Sequence, residues 1–327
     1  MAASLRILAG LAFLAVTSAA LLSPFAVVGQ LTTDYYAGIC PNLETIVRSS
    51  VRQSMAASPI AAPATLRLFF HDCAVRGCDA SVMIVNSNGD DEWRSSDNQS
   101  LKPEGFTTVL NAKAAVDSDP RCRYKVSCAD ILALAARESV YQSGGPYYQV
   151  ELGRHDGRVS TRDNVVLPHA SFNLHQLNAF FTGLGLSQTD MIALSGGHTF
   201  GAADCRFFQY RVGADPSMDA AFASELRNTC GAGAGANPSG GGFAFLDGAT
   251  PATFDNAYYQ NLQRGRGLLG SDQALHADQR SRGTVDYYAG SQSAFFSDFA
   301  AAMTRLGRVG VKSAATGEIR RDCRFPN

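Results

Sequence analysis

The chain has 327 residues, room for one large domain or about two of ordinary size. Its 28 lysines and arginines are balanced by 29 aspartates and glutamates, which excludes the one-signed field that would draw it to nucleic acid or to an acidic membrane surface. Partner choice therefore falls to a local site.

Residues 1–29 carry Arg6, then a long Leu/Ala/Phe/Val run, and close on "AVVG" before Gln30. This is the layout of a secretory leader cut after Gly29. Ser and Pro interrupt the run and no basic cluster follows it, which argues against a membrane anchor. Next, "LETIVRSSVRQSMAA" (43–57) spaces its apolar residues by three and four and predicts a core-facing helix. "LRLFFHDC" (66–73) keeps a helical apolar pattern but ends in His71, Asp72 and Cys73, with Arg67 four places before His71. A helix sets residues four apart side by side, so a permanently charged guanidinium and an imidazole point into one space. A satisfied core histidine beside a carboxylate-held arginine and a working pair both fit, and the pair alone does not choose between them.

Further along, "CADILALAARESVY" (128–141) predicts a second core helix, and "YYQVELG" (147–153) alternates as a short strand would. Helices follow over 173–184 and 187–197, the latter with Ser187 and Asp190 as a capping pair. His198 comes directly after two glycines at the end of that run, where a backbone or a flat ligand can approach closely. "GAGAGANPSGGG" (231–242) has too little side chain to fix one conformation and predicts a surface loop inside the fold. A last helix is expected over 291–307. The sum is mainly α with minor β. All eight cysteines lie after the leader, an even count that in an exported chain argues for four disulfides, although spacing leaves about 105 pairings open. The competing zinc reading of Cys73 and Cys78 lacks a second close ligand pair.

"LRLFFHDCAVRGCDAS" and "ALSGGHTFG" in such a chain resemble the plant secretory (class III) haem peroxidases. "CPNLETIVR", "VSCADILALAAR", "LGRHDGR", "TPATFDNAYY", "GLLGSDQAL" and "EIRRDC" extend the resemblance from Gln30 to the C-terminus. It implies a two-lobed, mainly α fold, one domain over 30–327, with one haem b per chain between a distal and a proximal lobe. His198 matches the proximal iron ligand, and Asp272 the carboxylate that accepts its other ring N–H, although a capping aspartate would read the same locally. His71 matches the distal acid and base, and Arg67 the group that stabilises charge on the departing oxygen. A positive charge at Arg67 disfavours the imidazolium and keeps His71 a base. Asn98 matches the residue that fixes the His71 tautomer, with Glu92 behind it. Since "NQS" at Asn98 is also the one glycosylation sequon, a pocket role leaves Asn98 without a glycan.

Phe70 matches the distal aromatic wall, and Leu246 stands where a related class carries a radical-bearing tryptophan; the single Trp93 is elsewhere. Pro168 matches the rim of the donor channel, followed by His169 and Ser171. The resemblance also implies two calcium ions. One set is Asp72, Val75, Gly77, Asp79 and Ser81; the other is Thr199, Asp247, Thr250, Thr253 and Asp255. Its bridges are Cys40–Cys122, Cys73–Cys78, Cys128–Cys323 and Cys205–Cys230. Ala202 and Asp204 depart from the lysine and glutamine that some relatives place near a haem propionate. The implied protein is a monomer that reduces hydrogen peroxide and oxidises small phenolic donors. The implied roles are peroxide catabolism, the response to oxidative stress and lignin chemistry. The chain ends four residues after Cys323, without a vacuolar extension, so the cell wall or apoplast is the expected address and no membrane partner remains after cleavage. A haem-binding wall protein without activity is the first alternative. A zinc hydrolase built on His71 and Asp72 is the second, and it lacks a third ligand.

Overall fold

A computed structural model describes residues 31–231 and 242–327. The expected leader, and the Gly/Ala segment apart from its two end residues, lie outside the described residues. Eleven α-helices occur among those described: α1 (Leu43–Ala57), α2 (Ala61–Ala74), α3 (Pro103–Ser118), α4 (Cys128–Gln142), α5 (Leu174–Gly183), α6 (Gln188–Ser195), α7 (Ala220–Cys230), α8 (Ala257–Gln263), α9 (Gly270–Ala277), α10 (Gln279–Gly290) and α11 (Gln292–Leu306). The five expected helical runs are all present. They differ from expectation mainly at their ends, where capping residues stand just outside the helix.

α1 buries Leu43, Val47 and Val51 on one stripe. α4 is buried along nearly its whole length, and the Ser127 side chain caps it by accepting from Asp130 N–H at 3.1 Å. α1 and α2 each pack on α3 and α4, while α8, α9 and α10 pack together and α11 lies on α6 and α10. One apolar core runs through both groups, from Tyr36 to Cys323, and a smaller one forms around Phe208, Phe222 and Leu268.

The strand expected over 147–153 does not form. Tyr148 spends its carbonyl on Arg137 (2.9 Å), Gly153 gives its N–H to Asp130 (2.8 Å), and only Leu152 bridges to another segment, at Thr32. With side chains taking its backbone groups, the segment has no ladder to join. The described sheet is instead β1 (Ala202–Asp204) paired antiparallel with β2 (Phe243–Phe245), Ala202 facing Phe245.

The four disulfides join Cys40 to Cys122, Cys73 to Cys78, Cys128 to Cys323 and Cys205 to Cys230. Cys73 and Cys78 are thereby removed as zinc ligands. Beside Cys128–Cys323, the buried Asp156 carboxylate accepts the N–H groups of Cys128 (3.1 Å), Ala129 (2.9 Å) and Arg320 (2.8 Å). The buried Arg320 guanidinium in turn donates to the carbonyls of Cys323 (2.5 Å) and Ala80 (2.6 Å). Asp156→Ala strands that cation and three amides, and is expected to lower the unfolding free energy by about 3–5 kcal/mol in a urea melt. A loss below about 1 kcal/mol, the value of a surface pair, would deny the cluster its structural weight.

Candidate active site

α2 turns Thr65, Leu68 and Phe69 into the core and leaves Arg67 exposed. Its guanidinium donates to the Ser100 carbonyl (3.0 Å) and the Ser100 hydroxyl (2.9 Å). Although the residue is exposed, protein crowds its guanidinium closely. Burial draws its pKa down to about 10, with Asp204, Arg206 and Asp97 also in its field, so it stays charged at physiological pH. Ser100 carried no signal beyond its place in the sequon.

One turn on, His71 is buried and its Nδ1 lies 2.7 Å from Asn98 Oδ1. The Asn98 amide nitrogen donates to the Glu92 carbonyl at 2.8 Å. That bond settles which end of Asn98 is oxygen. An amide oxygen only accepts, so His71 carries its proton on Nδ1 and presents Nε2 as a free base. Burial first and Arg67 second push the His71 pKa down to about 3, against the pull of Asn98. Glu92 stands behind Asn98 as expected, but its backbone makes the contact. Its buried carboxylate has no hydrogen-bond partner among the described residues, and burial first, then Asp72, push its pKa up to about 9. Phe70 sets its ring 6.0 Å from that of His71, nearly perpendicular, and stacks on Phe181.

Beyond α6 the chain tightens into a 3₁₀ turn, Gly196–Thr199, that carries His198. Any side chain at Gly196 would strike Phe295 and Tyr259, and a Cβ at Gly197 would touch Leu66 of α2 at 3.4 Å. The two histidine-bearing segments therefore lie alongside each other. His198 Nδ1 is 2.8 Å from Asp272 Oδ1, which also accepts from the Tyr258 hydroxyl at 3.0 Å. The other Asp272 oxygen accepts from Leu269 N–H at 2.9 Å, at the start of α9. Asp272 thus caps a helix and holds a histidine at once. The His198 side chain is 40% exposed, and its Nε2 has no partner among the described residues. A half-open imidazole with one nitrogen pinned and the other free fits an iron ligand. Tyr258 was not visible from its sequence position.

Leu246 is partly buried next to β2 and donates its N–H to the Gly201 carbonyl (3.1 Å), while Trp93 lies exposed against Phe106. Pro168 is half-buried, and His169 beside it is exposed and packs on Phe172. Ala202 is spent in the sheet. Asp204 lies between Lys102 (3.9 Å) and Arg206 (3.8 Å), so cations adjoin the acid that departs from the family pattern.

After α2, Asp72 accepts from Ala80 N–H (2.9 Å) and Asp79 from Ser81 N–H (3.0 Å). Burial raises the pKa of both carboxyls, Asp72 further through Asp79, and the Ser81 hydroxyl is buried without a partner. Gly77, at φ +115°, backs directly onto Gly310, and any Cβ would collide there. Crowded acids with an idle hydroxyl fit a hard divalent cation, which replaces protons as counter-charge. In the second set, Asp247 accepts from Thr250 (3.0 Å) and Thr199 (3.4 Å) hydroxyls, and Asp255 from the same two at 3.1 and 3.2 Å. Thr253 differs: its side chain is exposed and turned to Gly144, so only its backbone carbonyl is left to join the set. Among the described residues no three His, Cys, Asp or Glu side chains form a metal group, so a cation at either set would rest on mixed oxygens.

The peroxidase family profile matches residues 47–291. The chain is 52% identical over 312 residues to Peroxidase 45 of Arabidopsis thaliana, covering 93% of this chain and 94% of that one. It is 51% identical over 307 residues to Peroxidase 16 of the same plant, covering 91% and 93%. For Peroxidase 51 of that plant the figures are 48% over 304 residues, 90% and 91%.

Because Asn98 is fully buried with both amide atoms engaged, peptide mass spectrometry of the folded protein is expected to find it bare. A glycan there would remove it from the His71 pocket. Chelation of calcium should lower the melting temperature, since calcium held 100-fold above its Kd contributes about 2.7 kcal/mol. Protons compete for Asp72 and Asp79, so that stabilisation should shrink as pH falls. Melting curves indifferent to chelator at both neutral and acidic pH would exclude calcium from these sets.

Proposed function

This chain belongs to the plant peroxidase family, and on that premise we propose that it is a secreted enzyme whose peroxide site lies between His71 with Arg67 and His198. It is a haem b and calcium protein that uses hydrogen peroxide and a reducing donor. The reading rests above all on the His71–Asn98 bond, which leaves a neutral imidazole with one free basic nitrogen one helical turn from a fixed cation.

Haem, held through His198 Nε2, would supply the iron at which the peroxide O–O bond is broken. The chain's own groups handle charge and protons. His71 Nε2 takes the proton from one peroxide oxygen and returns it to the other as water leaves. Arg67 uses one N–H on each side of its fork for Ser100, and the remaining N–H groups can meet the negative charge on the departing oxygen. Asn98 keeps the proton on Nδ1 through the cycle. Asp272 draws on the His198 N–H and makes that imidazole a stronger ligand. Asp72, Val75, Gly77, Asp79 and Ser81 would hold one calcium behind α2. Thr199, Asp247, Thr250, Asp255 and the Thr253 carbonyl would hold the other beside the His198 turn.

Peroxide takes up two electrons and two protons to give two waters, and two phenols each lose one electron and one proton. Phe70 and Pro168 would border the entry for small phenols. The leader at 1–29, the single domain over 30–327, the monomeric state and an address in the cell wall belong to the same reading. So do peroxide catabolism, the oxidative-stress response and lignin chemistry.

The purified protein should show a Soret band that shifts on adding peroxide; a band that ignores peroxide would favour a haem-binding protein without activity. His71→Ala should slow the peroxide step by roughly 10²–10⁴, the value of general acid–base catalysis. The step needs neutral His71, so its rate falls as pH falls through the His71 pKa. That midpoint should lie near 3, far below the usual value of about 6.5. A midpoint at or above the usual value would deny His71 the role of base.

A further inference from the structure

Four tyrosines form an unbroken file from the His198 side of the site to the protein surface. The Tyr258 ring lies 6.2 Å from the His198 ring, and both side chains bond the same oxygen of Asp272. Tyr259 is 5.0 Å from Tyr258, Tyr288 is 5.1 Å from Tyr259, and Tyr287 is 6.0 Å from Tyr288. Tyr258, Tyr259 and Tyr288 are buried, whereas Tyr287 on α10 is 60% exposed. Phenylalanine would fill the three buried positions with no hydroxyl to satisfy. The neighbouring core is in fact phenylalanine, at Phe254, Phe295 and Phe299.

The hydroxyls differ in what receives them. Tyr288 donates to the half-buried Asp298 carboxylate at 2.7 Å, while Tyr259 donates to the Ile192 carbonyl at 2.8 Å. A phenol that loses an electron becomes a strong acid and must shed its proton. A carboxylate can take that proton, water can take it from Tyr287, and an amide carbonyl cannot keep it. Asp272 likewise receives the Tyr258 hydroxyl, so an oxidised state would rest on Tyr258, Tyr288 or Tyr287 and only pass through Tyr259. No tryptophan stands at Phe70 or Leu246 to hold it instead.

We propose that Tyr258, Tyr259, Tyr288 and Tyr287 are an electron relay that makes Tyr287 a second oxidation site, for phenols too large to enter the cleft. The relay rests on the reading of His198 as the haem ligand. One electron moves inward along the file, the O–H bond of Tyr287 breaks, and its proton goes to water. The tyrosyl radical then takes one electron and one proton from an outside phenol, breaking that phenol's O–H bond and restoring Tyr287. One hydrogen peroxide, reduced to two waters, drives this twice.

The test uses the haem-loaded full chain, matched for haem by its Soret band and given peroxide with a nitroso spin trap and no donor. Peptide mass spectrometry should find the trap on Tyr287, and untrapped samples should form dityrosine-linked dimers. Tyr287→Phe should abolish the dimers and the oxidation of a polymer-tethered phenol. Tyr288→Phe keeps Tyr287 in place and exposed, yet should remove the trap from it. If Tyr287 stays unmodified while the Soret band shifts, or is trapped equally in Tyr288→Phe, the relay is wrong and the peroxidase reading stands. A Soret band that ignores peroxide would overturn both.

Discussion

An arginine and an aspartate withdrawn from water, Arg320 and Asp156, hold the His71 half of the molecule in register. Buried charges are tolerated only where their hydrogen-bonding groups find partners. The partners here are the first amides of α4 and the carbonyls of Ala80 and Cys323. Ala80 belongs to the loop whose amide meets Asp72, and Asp72 follows His71 on α2. The position of the His71 imidazole is thus tied, through one loop, to a cation more than two hundred residues further along the chain.

The two histidines are built alike and tuned apart. Each is held by Nδ1, which leaves Nε2 for chemistry, but Asn98 is neutral and Asp272 is a carboxylate. An amide fixes a tautomer without adding electron density, so His71 remains a weak base that can give its proton back. A carboxylate makes its partner a better donor to metal. One scaffold sets the same side chain in two electrostatic environments by changing a single neighbour.

Much of this was legible in the sequence, and what was not has a common cause. α1, α4 and α11 follow from apolar spacing, and Arg67, His71 and His198 from motifs whose residue types match their chemistry. Contacts between a side chain and a distant backbone leave no periodic trace. Ser100 holding Arg67, the Glu92 carbonyl holding Asn98, and Arg137 taking the carbonyl that would have served a strand at 147–153 are all of this kind. Tyr258 leaves no such trace because an aromatic pair in the first turn of a helix reads as core until Asp272 is placed beside it.

The close seating of Gly77 on Gly310 has a meaning in time as well as in space. The loop after α2 is complete only when Gly310 lies against it, Val309 accepts the Cys78 N–H and Arg320 reaches Ala80. Those partners leave the ribosome some 230 residues after the loop does. The loop behind His71 and Arg67 is therefore among the first sequence made, yet these contacts become available to it only when nearly the whole chain exists.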